Sequence, residues 1–294
     1  MAWQQLRLQV LSGNIEFVEQ QLLDQGAVSV TYLDAKDQPV FQEEPGSTPL
    51  WDESILLALF EHDASLSSLL AWLQANPAIL NRASLTIETI ADQAWERACM
   101  DDFKAMQFGT RLWICPSWHE PPEPAAVNII LDPGLAFGSG SHPTTGMCLG
   151  WLDAADIEGK HVIDYGCGSG ILALASALLG AAAVVAVDND PQALVATRDN
   201  AARNSIPDDL LVTYLPEDVP PMRADILLAN ILAEPLINLA PRFADLVRPG
   251  AQLVLSGLLR EQAQSVSAAY APWFEMTSPV EMQEWVRLSG VRRT

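Results

Sequence analysis

The run Val162-Ile163-Asp164-Tyr165-Gly166-Cys167-Gly168-Ser169-Gly170-Ile171 restricts this chain more than any other feature. Strand-forming apolar residues lead into glycines at alternate positions and then into an alanine- and leucine-rich stretch. A strand therefore passes through a tight turn into a helix. Glycine suits such a turn because it takes positive φ without steric cost and lets a ligand approach the backbone. The turn falls at the carboxyl end of a strand, where open α/β sheets bind ligands. The dinucleotide fingerprint needs glycines at its first, third and sixth places. Counted from Gly166, the sixth place here is Ile171, which makes a dinucleotide oxidoreductase a poor reading.

Around this turn the sequence alternates strand and helix. Strands are expected at 161–165, 182–187, 211–215, 225–229 and 252–256, and helices at 171–179, 191–204, 234–246 and 261–269. The strand at 182–187 shows no polar alternation, as in a parallel sheet covered on both faces. Segments 274–280 and 284–288 are expected to close the sheet as a hairpin. The simplest fit is a doubly wound, Rossmann-like α/β domain. The first part of the chain has a different order: strand 3–10, helix 14–25, strand 28–33, strand 54–61, helix 66–74, strand 85–90. This β-α-β-β-α-β order is that of a small ferredoxin-like α+β module, with a helix over 51–60 as the alternative for its third strand. A helix is expected over 92–106, strands at 111–116 and 127–131, and an extended proline-rich run at 119–124. The expected organisation is an α+β domain at 1–91, a linker segment at 92–125 and the main domain at 126–294.

Composition narrows the classes. Hydrophobic residues make up 49% and charged residues 18% of 294, enough for a packed core. No uncharged apolar run reaches the roughly 18–20 residues of a membrane span, and residues 1–10 lack a signal peptide's basic start and apolar centre. A cytoplasmic protein without membrane contact is expected. Cys99, Cys115, Cys148 and Cys167 have no paired spacing and the four histidines do not cluster, so no metal site is expected. The net charge of −21 argues against direct nucleic acid binding, which relies on clustered Lys and Arg, and suits a basic protein partner.

The pattern D-x-G-x-G-x-G resembles motif I of class I S-adenosylmethionine-dependent methyltransferases. Three further segments agree. Asp188 ends the next strand, about 20 residues beyond the turn, where an acid accepts hydrogen bonds from ribose hydroxyls; Asp190 before Pro191 reads as a helix cap. Asn230, in Ala229-Asn230-Ile231-Leu232-Ala233, follows the fourth strand of the domain. Its amide suits an amine acceptor, whose nitrogen must be oriented and whose developing positive charge needs carbonyl groups nearby. The stretch 131–145 holds many small residues beside Phe137 and resembles a loop built to close over a ligand. One of Thr144 and Thr145 is expected to cap a helix over 147–151. His142 is a candidate general base, although a histidine before proline is more often structural.

Taken together, 131–145, the glycine turn and Asn230-Ile231-Leu232-Ala233 resemble the bacterial ribosomal protein L11 methyltransferases. So do the N-terminal module and Glu284-Trp285, and the resemblance covers nearly the whole chain. It implies methylation of the N-terminal α-amine and lysine ε-amines of L11, free or before assembly, up to trimethylation, by an enzyme expected to be monomeric. It implies that the N-terminal domain recognises L11 and that a flexible linker presents different amines to one site. Thr145, Gly166, Asp188 and Asn230 match family positions that contact S-adenosylmethionine; Gly168 lies in the same turn, and Asn230 is the expected catalytic residue. Departures from the commoner pattern are Ser139 and Ser141 for Thr, Tyr165 for Leu or Phe, and Glu234 for Gly. The rival readings are a methyltransferase acting on a glutamine amide or an RNA base, and a non-enzymatic ribosome-binding module.

Overall fold

The computed structural model describes residues 3–36, 51–81, 85–90, 104–132 and 142–294, and the chain divides into two compact units, Met1–Ala98 and Cys99–Thr294. In the first unit, period-two alternation along β1 (Trp3–Leu11) turns Leu6, Leu8 and Val10 inward, where they are fully buried. Helix α1 (Ile15–Asp24) covers them with Ile15, Val18 and Leu22, one face of a 3.6-residue period. It stops at Gly26, whose φ of +93° reverses the chain. Then follow β2 (Ser29–Asp34), β3 (Glu53–Glu61), α2 (Ser67–Ala75) and β4 (Thr86–Ile90). The sheet order is β2-β3-β1-β4 with antiparallel neighbours, the ferredoxin-like arrangement expected. The helical alternative over 51–60 fails: Ser54, Leu56, Ala58 and Phe60 are buried at every second position, a period no helix shares.

The helix expected over 92–106 lies mostly outside the described residues, and Met106 begins a strand instead. β5 (Met106–Phe108), β6 (Leu112–Cys115) and β7 (Val127–Ile130) form a three-stranded sheet. Leu112, Ile114 and Ile129 are buried in the same apolar cluster as the helices of the larger sheet.

That larger sheet is doubly wound. It is reached through α3 (Pro143–Ala154), β8 (His161–Tyr165), α4 (Ile171–Leu178), β9 (Ala183–Val187), α5 (Pro191–Arg203), β10 (Leu211–Tyr214), β11 (Ala224–Asn230), α6 (Ala233–Leu246), β12 (Val247–Leu259), α7 (Ala263–Tyr270), β13 (Phe274–Met276), β14 (Val280–Met282) and β15 (Trp285–Arg292). The order is β10-β9-β8-β11-β12-β15-β13, with β14 also on β15. The strands from β10 to β12 are parallel, and β15 is antiparallel to β12. β9 shows why the sequence there lacks alternation. Val184 and Ala186 enter the core under α3, α4 and α5, while Val185 and Val187 enter the core under α6 and α7. Strand order reverses between β8 and β11, and that switch point is where ligands bind in such sheets.

The expected strand over 274–280 divides in two. β13 pairs with the far end of β15 and β14 with its start. Pro279 between them has no N–H for the ladder, which breaks the run.

Candidate active site

The glycine turn is held from three sides. After β8, Gly166, Gly168 and Gly170 take φ of +82°, +54° and +82°. The N–H groups of Gly166 and Cys167 both donate to the Val187 carbonyl, at 2.7 and 3.0 Å, which fastens the turn to the end of β9. From α5, the Thr197 hydroxyl donates to the Gly168 carbonyl at 3.1 Å and the Asn200 amide to that of Ser169 at 2.9 Å. With the inner carbonyls occupied, Gly166 and Gly168 stay half-exposed between the buried Tyr165, Cys167 and Ser169. The outward face of the turn is thus bare backbone. Thr197 and Asn200 have no local motif around them, and sequence reasoning missed both.

Asp188 ties this turn to the next. Its Oδ2 accepts from the Gly168 N–H at 2.9 Å, and its Oδ1 from the Asp190 N–H at 3.0 Å. Asp190 caps α5 through the Gln192 N–H at 2.8 Å, as expected. Each Asp188 oxygen keeps a second lone pair, so the carboxylate still offers two acceptors to a vicinal diol.

Asn230 is the last residue of β11 rather than the first beyond it. Its Nδ2 donates to Thr145 Oγ1 at 3.2 Å across 85 residues of sequence. Thr145 is 3% exposed in the first turn of α3, so its hydroxyl is held in place. That helix departs from expectation. It begins at Pro143 and runs to Ala154, and its cap is His142, not a threonine. His142 Nδ1 accepts from the Thr144 N–H at 3.3 Å and lies 2.7 Å from the Thr144 hydroxyl. Pro143 at the first helical position explains the early start, since its fixed φ suits the helix and its missing N–H needs no partner there. The His142 ring meets Trp285 edge-on at 4.6 Å between centroids. Partial burial holds its pKa below the ordinary value, against the pull of Glu284. Helix α3 is pinned at its other end, where the buried Asp153 carboxylate accepts from the N–H groups of Thr110 and Arg111 at 2.7 and 2.9 Å.

Of the loop expected to close over a ligand, residues 133–141 lie outside the described residues. Its foot is well defined. Asn204 takes the Ile130 N–H at 2.7 Å and donates to the Ile130 carbonyl at 2.8 Å, like one more strand beside β7. Asp132 accepts from the Ser117 N–H at 2.7 Å and pairs with Arg203 at 3.0 Å.

Asp164, beneath the turn, is 1% exposed. Its Oδ2 accepts from the Ala173 N–H at 3.0 Å, and its Oδ1 has no hydrogen-bond partner among the described residues. Burial pushes its pKa up to about 7; the Ala173 N–H opposes the rise and the charge on Asp188 adds to it. A carboxyl raised in this way binds more protons folded than unfolded. Its contribution to stability is full below the ordinary aspartate value of about 3.9 and declines as pH rises through the folded pKa. Asp164→Asn is therefore expected to flatten the fall in thermal midpoint between about pH 4 and 7 that this carboxyl imposes. A midpoint-against-pH curve parallel to the parent's would overturn this.

The bare glycine backbone and the two remaining acceptors of Asp188 can take a nucleoside whose ribose diol meets the carboxylate. Strand order, glycine turn and acid at the end of the second parallel strand define a class I S-adenosylmethionine-dependent methyltransferase. A family model described as Ribosomal protein L11 methyltransferase (PrmA) matches residues 2–293. Proteins named ribosomal protein L11 methyltransferase from Pseudomonas aeruginosa (strain PAO1) and Marinobacter nauticus (strain VT8) are 54% and 53% identical, over all of this chain and 99% of theirs. The one from Shewanella amazonensis is 51% identical over the full length of both. The crystal structure of a ribosomal protein L11 methylase from Lactobacillus delbrueckii subsp. bulgaricus aligns with a TM-score of 0.59 and 34% identity, over 65% of this chain and 100% of that one. The chain belongs to the ribosomal protein L11 methyltransferase family.

Proposed function

We propose that this protein transfers methyl groups from S-adenosylmethionine to the N-terminal α-amine and lysine ε-amines of ribosomal protein L11, up to trimethylation. The Thr145–Asn230 hydrogen bond carries the reading. Because the Thr145 hydroxyl takes the amide donor, Asn230 Oδ1 is left as the acceptor for the N–H groups of an incoming amine. S-adenosylmethionine, when bound, supplies an activated methyl group on a sulfonium. Asp188 holds the ribose, Gly166 and Gly168 admit the rest of the molecule, and Thr145 and Asn230 form the wall between the two substrates. Asn230 orients the nitrogen and takes up its developing positive charge, the work of preorganised dipoles.

Lysine has a pKa near 10.4 and arrives protonated. Burial at the site lowers that value, and the proton leaves to water. His142 is not the base in this reading. Its Nδ1 lies against the Thr144 N–H and hydroxyl at 3.3 and 2.7 Å, the contacts of a structural helix cap. The net charge of −21 favours encounter with a basic substrate and disfavours direct contact with RNA. The first unit recognises L11, and the second, which takes in the β5–β7 sheet within the segment expected as a linker, carries the catalysis; the enzyme acts as a cytoplasmic monomer on L11 before assembly. No described helix is long and apolar enough to cross a membrane.

The test is incubation with labelled S-adenosylmethionine and either free L11 or intact large subunits, followed by mass spectrometry. Trimethyl lysine and a methylated N-terminus on free L11 are expected. Label on a glutamine or on ribosomal RNA would overturn the substrate while leaving the enzyme class intact.

A further inference from the structure

Ile231, the residue after Asn230, lies between two glycines, one just after β8 and one in β12, the strands that flank β11. A methyl group at Gly166, in the glycine turn, would overlap Ile231 Cγ2. On the other side stands Gly257 of β12, with φ of +86°. A methyl group there would overlap the Ile231 carbonyl oxygen and come within 2.8 Å of its carbonyl carbon and 2.9 Å of its nitrogen. Gly257 sits where pairing between β12 and β15 slips, between Leu255 and Leu258, one residue after Ser256, the register partner of Asn230. Glycine inside a strand marks a bulge or a close backbone approach, and here it makes both. β12 thus bends onto the Ile231 backbone, while the Ile231 side chain rests on the turn that faces the cofactor.

We propose that Ile231 is a positioning residue for methyl transfer: a spacer, clamped between Gly166 and Gly257, that sets how far Asn230 stands from the glycine turn. The proposal rests on the reading of Asn230 as the amine-facing group. Its physical basis is the steep dependence of in-line displacement on alignment, where a shift of about 1 Å costs about a hundredfold in rate. Ordinary core packing is the alternative, since Ile231 also borders the core under α6. Packing alone would make stability, not the rate on bound substrate, respond to substitution.

The experiment compares the full-length parent with Ile231→Val, Ile231→Ala, Gly257→Ala, Gly166→Ala and the Gly166→Ala/Ile231→Ala double variant. It reads kcat and KM for the acceptor, calorimetric cofactor Kd and thermal midpoint. Ile231→Val keeps Cγ2 and is expected to hold kcat within about twofold, while Ile231→Ala loses about 30-fold in kcat with KM changed less than about threefold. Gly257→Ala, pressing on backbone, loses a similar factor. Gly166→Ala weakens cofactor binding, and adding Ile231→Ala recovers at least about threefold of that loss by removing the overlap. Unchanged kcat in Ile231→Ala, equal losses in the valine and alanine variants, or additive losses in Kd would each overturn the proposal. A parent that labels no amine would sink the amine reading instead, and the comparison would then be made on whichever acceptor the parent labels.

Discussion

Replacing Asn230 with alanine is expected to lower single-turnover methyl transfer by about 100- to 1,000-fold, the usual cost of removing one preorganised dipole from the site of developing charge. Asn230 closes β11, its amide is turned by the buried Thr145 hydroxyl at 3.2 Å, and its backbone is in register with Ser256 on β12. Nothing in that set depends on the acceptor being present, so the carbonyl oxygen is in place before the amine arrives. The alanine variant keeps the strand and both neighbouring glycines, and cofactor Kd is expected to change by less than about tenfold, because Asp188 and the turn are untouched. Rapid-quench kinetics with saturating cofactor, alongside calorimetry, separates the two quantities. A rate within tenfold of the parent's, or a loss residing wholly in cofactor affinity, would show that Asn230 binds cofactor without orienting the acceptor.

Asp188→Ala is expected to weaken cofactor binding by at least about a hundredfold. Its two oxygens hold the Gly168 and Asp190 N–H groups at 2.9 and 3.0 Å, so the side chain shapes the turn while keeping acceptors for the ribose it is proposed to hold. Hydrogen bonds to a charged group are worth about 1.5–3 kcal/mol each, and each 1.4 kcal/mol is about a tenfold change in affinity. Losing the ribose contact and one turn contact therefore accounts for about two orders of magnitude. Asp188→Asn keeps one acceptor oxygen and is expected to fall between alanine and the parent. Isothermal calorimetry with S-adenosylmethionine and its demethylated product reads both. Equal affinities for parent and alanine variant would remove Asp188 from the site.

Features set by neighbouring residues are legible in this sequence, and contacts between distant segments are not. β1 and β3 read correctly because burial on one face forces a period of two into their own residues. β9 read correctly because two covered faces remove that period. Asp190 before Pro191 and the glycines after β8 announce a cap and a turn within a few residues. His142 misled for the same reason in reverse. Threonines near a helix start look like caps, yet the imidazole, one residue before Pro143, reaches the Thr144 N–H first and draws the helix start back to Pro143. Gly257 had a legible sign, a glycine inside an apolar strand, but its partner Ile231 lies just past the end of another strand, β11.

By itself, the sequence determined the order of strands and helices in the N-terminal module and from β8 to β12, the glycine turn, the acid after it, and the family to which these motifs point. All of that rests on backbone propensity, side-chain period and φ, which act over one turn of helix or a few residues of strand. The tertiary structure alone decided which of these segments meet. It brought Thr145 to Asn230, made Asp188 the tie between two turns, set α5 against both the glycine turn and the foot of the 131–145 loop, and closed Gly166 and Gly257 on Ile231. Those contacts join residues far apart in the chain. They follow from how a twisted sheet with helices on both faces packs, and short-range sequence carries no record of that distance.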